Sequence, residues 1–271
     1  MGAMLRGLKD KVAIVTGGAA SIGKSITEAF HDAGTRVLLV ARSRDKGAAL
    51  AECLGSRVMY ECADITNDDD LRRIVARAVE GFGRIDFIVN NACSYVDQGC
   101  HSCREEWLST LNTNVVSGAL LVELARPELA KAKGAVVNLS SISAYVAQTG
   151  RWTYPVSKAA IVHLTRLQAM DYAPNGIRVN TLVAGWTQSD PIASLSAGDW
   201  ERADRVAAEF HLLGRLGRAR EVADGVLFLC SDNASFVTGG ELKVEGGYLA
   251  MGPEQAGAAI AKLTGGTADR R

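Results

Sequence analysis

Residues 11–23 read KVAIVTGGAASIG, and the fold follows from how that short stretch changes character. Val12 to Val15 form an apolar, mostly β-branched run, the composition of a strand buried on both faces. Thr16, Gly17 and Gly18 break the run, and a helical pattern opens at Ser21. A glycine-rich strand-to-helix turn allows a tight bend and brings backbone N–H groups close to a pyrophosphate at the helix N-terminus. Glycine also serves as a plain turn residue, so context decides between the two readings. Outward from this stretch the alternation repeats. TRVLLVA (35–41), RVMYECAD (57–64), IDFIVNN (85–91), GAVVNLSS (134–141), IRVNTLVAG (177–185) and ELKVEGG (241–247) read as further buried strands. Helical patterns open near Ser43, Asn67, Arg104, Tyr154 and Ala219. The pattern predicts an α/β protein: a single Rossmann-type, doubly wound parallel sheet of about seven strands with helices on both faces. No repeat or composition break divides residues 1–271, which are expected to form one domain with a flexible tail at 249–271.

Composition narrows the function. Apolar residues make up 48% of the 271 and charged ones 22%, enough for a sizeable core. Thirty basic and thirty acidic residues cancel, which gives no reason to expect nucleic acid or an anionic membrane as partner. No apolar run reaches the length of a membrane span, and a secretory leader is not evident. Met1-Gly2-Ala3 reads as an expression scar ahead of Met4. Six irregularly spaced cysteines do not form a disulfide framework, and a cytoplasmic protein with free thiols is expected. Cys93, Cys100, His101 and Cys103 crowd one stretch without a second ligand pair at suitable spacing, so no metal is predicted. His163 falls at a core-like position of its helix and reads as structural.

A second stretch, GAVVNLSSISAYVAQTGRWTYPVSKAAIVHLTRL (134–167), carries the chemistry. Tyr154 and Lys158 are four residues apart at the start of a helix, so their side chains are neighbours. An ammonium beside a phenol favours phenolate and lowers its pKa from about 10. The phenol then becomes a usable general acid or base. Ser141, thirteen residues before the tyrosine at a strand end, can hydrogen-bond the same substrate oxygen. Pro155 is tolerated at the first helical position and is expected to hold Tyr154 just outside the helix.

Taken together, these motifs resemble the short-chain dehydrogenases/reductases, from about Leu8 to Tyr248. The family's T-G-x-x-x-G-x-G turn is met by Thr16, Gly17 and Gly23, with Ser21 for the middle glycine. Its N-N-A-G is Asn90-Asn91-Ala92-Cys93, and its P-G is Ala184-Gly185. The resemblance implies a catalytic tetrad of Asn114, Ser141, Tyr154 and Lys158, with Asn114 placing a water that relays protons to the lysine. It implies cofactor contacts from Thr16, Gly17, Ser21, Ile22, Gly23, Arg42, Ser43, Asp64, Ile65, Asn91, Ala92, Tyr154, Lys158, Gly185, Thr187 and Ser189. Val183 and Ser189 would flank the nicotinamide, and Asp64 would meet the adenine amine; without the family match Asp64 reads as a helix cap. Arg42 stands where users of NAD carry aspartate, and a guanidinium suits a 2′-phosphate, so NADP(H) is expected, with NAD as the alternative.

Residues 186–213 are expected to form a substrate lid with a helix from Asp199 to Leu212. Ser143, Gln148, Trp152 and Trp186, with Tyr95, are expected to meet the substrate. An aromatic rim favours a small hydrophobic or cyclic carbonyl or alcohol. Arg151 could meet an acid group, although a surface arginine is the plainer reading. The family further implies a homodimer or homotetramer formed through 117–130 and 154–173. Three other functions stay open: an NAD-dependent dehydrogenase of a diol or cyclic alcohol, a 3-oxoacyl-carrier-protein-type ketoreductase docking through Arg215, Arg218 and Arg220, and a retired, cofactor-binding regulator.

Overall fold

The protein is described from a computed structural model covering residues 5–252; the expected tail beyond 252 and the supposed scar lie outside the described residues. Strands and helices alternate along the described residues, except that two helices stand between β4 and β5 and three between β6 and β7. It begins with β1 (Val12–Thr16), α1 (Ser21–Asp32), β2 (Arg36–Ala41), α2 (Arg44–Leu54), β3 (Val58–Cys62), α3 (Asp68–Phe82) and β4 (Phe87–Asn90). It continues with α4 (Arg104–Leu111), α5 (Ser117–Ala132), β5 (Ala135–Ser141), α6 (Thr153–Tyr172) and β6 (Arg178–Ala184). Last come α7 (Asp190–Leu195), α8 (Trp200–Ala207), α9 (Ala219–Cys230) and β7 (Glu241–Val244).

All seven strands join one parallel sheet in the order β3-β2-β1-β4-β5-β6-β7. Period-two side-chain alternation explains the two cores. Ala13 and Val15 of β1 pack with Ile26 and Phe30 of α1 and Val226 of α9. Val12 and Ile14 pack on the other face with Ile74 of α3 and Leu121 of α5. Strand order reverses at β1 and β4, and a crevice at the carboxyl ends of such strands is where α/β sheets bind ligands.

Four local readings need correction. Helix α6 starts at Thr153, so Tyr154 lies inside its first turn. The Asp97 carboxylate accepts the backbone N–H groups of Trp152 and Tyr154, and Pro155 falls where a missing donor costs nothing. The lid helix is shorter than expected. After Ala207 the chain turns, with His211 Nδ1 2.8 Å from the Ala207 carbonyl oxygen and Gly214 at a left-handed φ of 67°. A separate helix, α7, precedes it, opened by the Ser189-Asp190-Pro191 start signal. Finally, His163 is exposed on α6, one position past the buried pair Ile161 and Val162. No helix among the described residues is long and apolar enough to cross a membrane.

Candidate active site

The carboxyl end of β5 and the first two turns of α6 bring three of the four expected catalytic side chains to one place. Ser141 ends β5, and Tyr154 and Lys158 stand one turn apart on α6; all three are buried. Lys158 Nζ donates to the Leu139 carbonyl (2.9 Å), while Ser140 Oγ donates to the Lys158 carbonyl (2.9 Å), locking helix to strand. Lys158 Nζ lies 5.4 Å from the centre of the Tyr154 ring. Tyr95 stacks on the same ring with centroids 5.0 Å apart.

Asn114 arrives by a route the sequence did not announce. Residues Asn112–Val116 form one π-helical turn between α4 and α5, a wide turn that recurs at functional sites. It buries Asn114, whose Oδ1 accepts from Ser94 N (2.6 Å) and whose Nδ2 donates to Ser94 O (3.1 Å) and Ser157 Oγ (2.9 Å). Asn114 therefore clamps the loop after β4 to α6. Its polar atoms are engaged there rather than aimed at Lys158.

Electrostatics differ from the simple Tyr–Lys picture. Burial pushes the Tyr154 phenol up, and charge on the nearby Cys93 sulfur adds to this. The Ser141 hydroxyl, the Arg151 guanidinium and the Tyr95 hydroxyl pull it back down without cancelling the rise. Burial likewise drags the Lys158 ammonium down. The phenol is therefore held protonated by its surroundings. The lowering cation beside it is Arg151, whose Cζ sits 5.4 Å from the ring centre.

These groups form the floor of a cleft of about 930 Å³. Ser143, Gln148 and Trp186 line it as expected, as do Tyr95, Ile22, Asn91, Gly185, Thr187 and Ser189. Trp152 does not: it is half exposed and offers Asp97 only its backbone N–H. From the expected lid, Ile192, Leu195, Arg202 and Val206 line the cleft and Trp200 does not, and Tyr248 enters it unforeseen. Val183 is fully buried in the sheet. Asp97 is the most important residue that sequence reading missed. Burial raises its carboxyl, but backbone N–H groups of Trp152, Gly99, Tyr154 and Thr153 outweigh this and hold it below the usual range.

The expected dinucleotide seat runs along the same sheet edge. Gly17 has φ 65°, and a Cβ there would lie 2.9 Å from Ala92 Cα; at Gly23 a Cβ would strike the Gly17 carbonyl. Ser21 keeps the left-handed backbone of the glycine it replaces, with φ 50°, and its Oγ accepts from Asp190 N at 2.9 Å. A Cβ on Gly185 would lie 2.8 Å from Glu245 Cα. Cys93 has no positive φ, so its side chain fits without backbone strain. The turn thus leaves bare backbone facing the N-terminus of α1, a cradle suited to pyrophosphate. Some residues expected here hold the cradle from behind. Thr16 Oγ1 accepts from Asn91 N and Ala92 N, and Asn91 Nδ2 donates to Thr16 O and Gly17 O. Arg42, Ser43, Asp64 and Ile65 follow β2 and β3, away from the cleft lining. Asp64 caps no helix: its Oδ1 takes Thr66 N and Oγ1, and Asn67 caps α3.

Known proteins share the sequence that builds this fold. The family described as enoyl-(acyl carrier protein) reductase matches residues 17–249. The L-fucose dehydrogenase of Oryctolagus cuniculus is 35% identical over 90% of this chain and 87% of its own. The chain is a short-chain dehydrogenase/reductase. Within that family it is also similar to the cis-4-hydroxycyclohexanecarboxylate dehydrogenase of Sinomonas cyclohexanicum, 34% identical over 89% of this chain and 98% of that one. The NAD-dependent glycerol dehydrogenase of Listeria innocua is 33% identical over 89% and 94%. As a short-chain dehydrogenase/reductase, the protein is an oxidoreductase of alcohols and ketones that uses a nicotinamide cofactor.

Proposed function

We propose that the protein interconverts a ketone or aldehyde and a secondary alcohol, with NADP(H) favoured over NAD(H) and Tyr154 as general acid and base. The convergence of Ser141, Tyr154 and Lys158 on a cleft that reaches Ile22 and Asn91, next to the glycine turn, carries this reading. When bound, the nicotinamide supplies or accepts the hydride. Tyr154, kept protonated by burial, gives its proton to the substrate oxygen in the reductive direction. Ser141 donates to the same oxygen as negative charge grows there. Lys158, tied to Leu139 O, stays beneath the phenol, and Asn114 fixes the loop that carries Cys93 and Tyr95.

Arg42 supports the NADP(H) preference. It is exposed at the end of β2, forms no ion pair among the described residues, and has no carboxylate beside it in Leu39-Val40-Ala41-Arg42-Ser43. The NAD-dependent relative from Listeria innocua keeps NAD as the second reading. Thermal unfolding titrated with each cofactor separates them. Ligand at about a hundredfold over its dissociation constant adds about 2.7 kcal/mol, a clear shift. NADPH acting at lower concentration than NADH is the expected result; the reverse order overturns the role of Arg42.

Docking of a carrier protein is less favoured. Arg215 pairs with Glu221, Arg218 with Asp204, and Arg220 with Asp32 and Asp224, so these arginines offer no free basic face. The apolar, aromatic cleft suits a small cyclic or hydrophobic substrate. We further propose a homodimer or homotetramer built on α5 and α6, which expose Leu120, Leu124, Val156, Leu167 and Met170. Light scattering that gives a monomer mass would overturn that assembly. The unpaired cysteines support a cytoplasmic location.

A further inference from the structure

The cleft wall has an uneven charge. Among the described residues it carries Arg151, Lys158 and Arg202, and not one aspartate or glutamate. Two of the three cations are committed to carbonyl oxygens. Lys158 is held by Leu139 O, and Arg202 donates to Ser196 O at 2.5 Å. Arg151 is different. Its buried Nε has no hydrogen-bond partner among the described residues. The Asp97 carboxylate is 3.8 Å away, beyond hydrogen-bond length, and its oxygens already accept from the backbone of Gly99, Trp152 and Tyr154. The guanidinium nonetheless stays beside the reacting phenol, 5.4 Å from its ring centre, with about two-fifths of the side chain exposed.

An arginine in a partly apolar cleft, short of hydrogen bonds, is an unfilled half of a charge-assisted pair. The cofactor does not account for it. The glycine cradle and Arg42 lie toward β1 and β2, while Arg151 belongs to the loop before α6, beside Gln148 and Tyr95. We infer that the substrate is an oxo or hydroxy acid, and that Arg151 binds its carboxylate a few carbon atoms from the carbon that exchanges hydride. This deepens the proposed oxidoreductase reading and rests on it. The acid would supply the hydrogen bonds that Asp97, at 3.8 Å, does not give Arg151, and would pin the reacting oxygen over Tyr154 and Ser141.

The test compares 4-oxocyclohexanecarboxylate with its uncharged methyl ester, in the wild type and in Arg151→Gln. A charge-assisted bidentate contact is expected to favour the acid by about 10- to 100-fold in kcat/KM, carried mostly in KM. Arg151→Gln should reduce the acid-over-ester ratio to near one, with Arg151→Lys between. A second arm needs no turnover. With the cofactor present, cyclohexanecarboxylate should bind the wild type measurably more tightly than cyclohexanecarboxamide, read by calorimetry, and Arg151→Gln should erase the difference. Equal handling of acid and ester, or a ratio unmoved in Arg151→Gln, overturns the inference while leaving the oxidoreductase reading intact. Selective carboxylate binding without reduction of either ketone supports the Arg151 subsite and counts against the proposed reaction instead.

Discussion

On the wall formed by β5 and α6, Ser141, Tyr154 and Lys158 are buried and held by main-chain hydrogen bonds, whereas on the lid side of the cleft Leu195 and Val206 stand exposed. The first wall spends backbone groups on rigidity: Asp97 seals the N-terminus of α6, and the Leu139 carbonyl fixes the lysine. The second is held by a small apolar cluster of Ala203, Ala207, Leu216, Trp186 and Ile192, and by side-chain pairs such as Arg218–Asp204 at 2.8 Å. A wall that must hold reacting atoms cannot tolerate displacement, because small misplacements cost rate steeply. A wall that shapes specificity can be remodelled. The chemistry therefore sits on the rigid side, while the lid shapes the rest of the cleft around whatever Arg151 holds beside the phenol.

The sharpest way to break this contrast is Tyr154→Phe. General acid–base catalysis is worth about 10²- to 10⁴-fold, so turnover should fall by that factor while melting temperature and cofactor binding hold. Comparable residual activity would move the proton donor elsewhere. Ser141→Ala comes next, and its signature is a pH profile. Burial raises the Tyr154 pKa and Ser141 lowers it, so removing the hydroxyl raises the pKa further. Oxidation, which needs phenolate, should climb with pH in the wild type and begin its climb at higher pH in Ser141→Ala. Reduction, which needs phenol, should stay flat through neutral pH in both. An alkaline limb moving to lower pH in the variant would contradict the assignment.

Asp97→Ala tests the rigid wall through its cap. It strands the N–H groups of Gly99, Trp152 and Tyr154, at a cost of about 2 kcal/mol, or about 4–8 °C in melting temperature. The depressed carboxyl makes this contribution present above the ordinary aspartate pKa and lost as pH falls through the lower folded value. Wild type and variant should therefore converge in stability in strong acid. A kcat loss should accompany the stability loss, because the cap fixes the first turn of α6, which carries Tyr154.

How far the sequence spoke differs between the two walls for the same physical reason. Strands and the Ser141, Tyr154 and Lys158 set were legible, because buried β-branched runs and short fixed spacings are local signals. Asp97 was not, since a cap supplied from 55 residues upstream leaves no mark near Trp152. The π turn at Asn112–Val116 was hidden because its residues fit an ordinary helix equally well. Trp152 and Arg151 exchanged places for a subtler cause. Both are adjacent in a loop, and only the turn into α6 decides which side chain faces the cleft. The lid was read by composition alone, and composition could not foresee α7 or the end of α8 at Ala207.

The lid's own fastening should matter less. Asp204→Asn weakens the pair with Arg218 and the bond from Leu216 N, both partly exposed to solvent. Screening limits the stability loss to about 1 kcal/mol. The effect should appear in KM more than in kcat, since the lid shapes binding rather than proton transfer. A kcat loss as large as that of Asp97→Ala would erase the distinction between the walls.

The smallest expected change lies where the two walls meet. Ser21 holds a left-handed backbone that costs a non-glycine residue about 1–2 kcal/mol, yet its Oγ accepts from Asp190 N at the start of α7. Ser21→Gly relieves the strain and deletes a hydrogen bond worth about 1 kcal/mol, so net stability should move by no more than about 1 kcal/mol. The backbone of the cradle is unchanged by the swap, and cofactor affinity should hold in thermal titration. Substrate KM should nonetheless rise modestly, because the bond removed ties the glycine turn to the lid. If KM stays fixed, the lid is anchored by Asp204 and its own apolar cluster alone. If KM rises while stability does not, the serine standing in the family's glycine position is a strained link that makes the cofactor turn one of the lid's anchors.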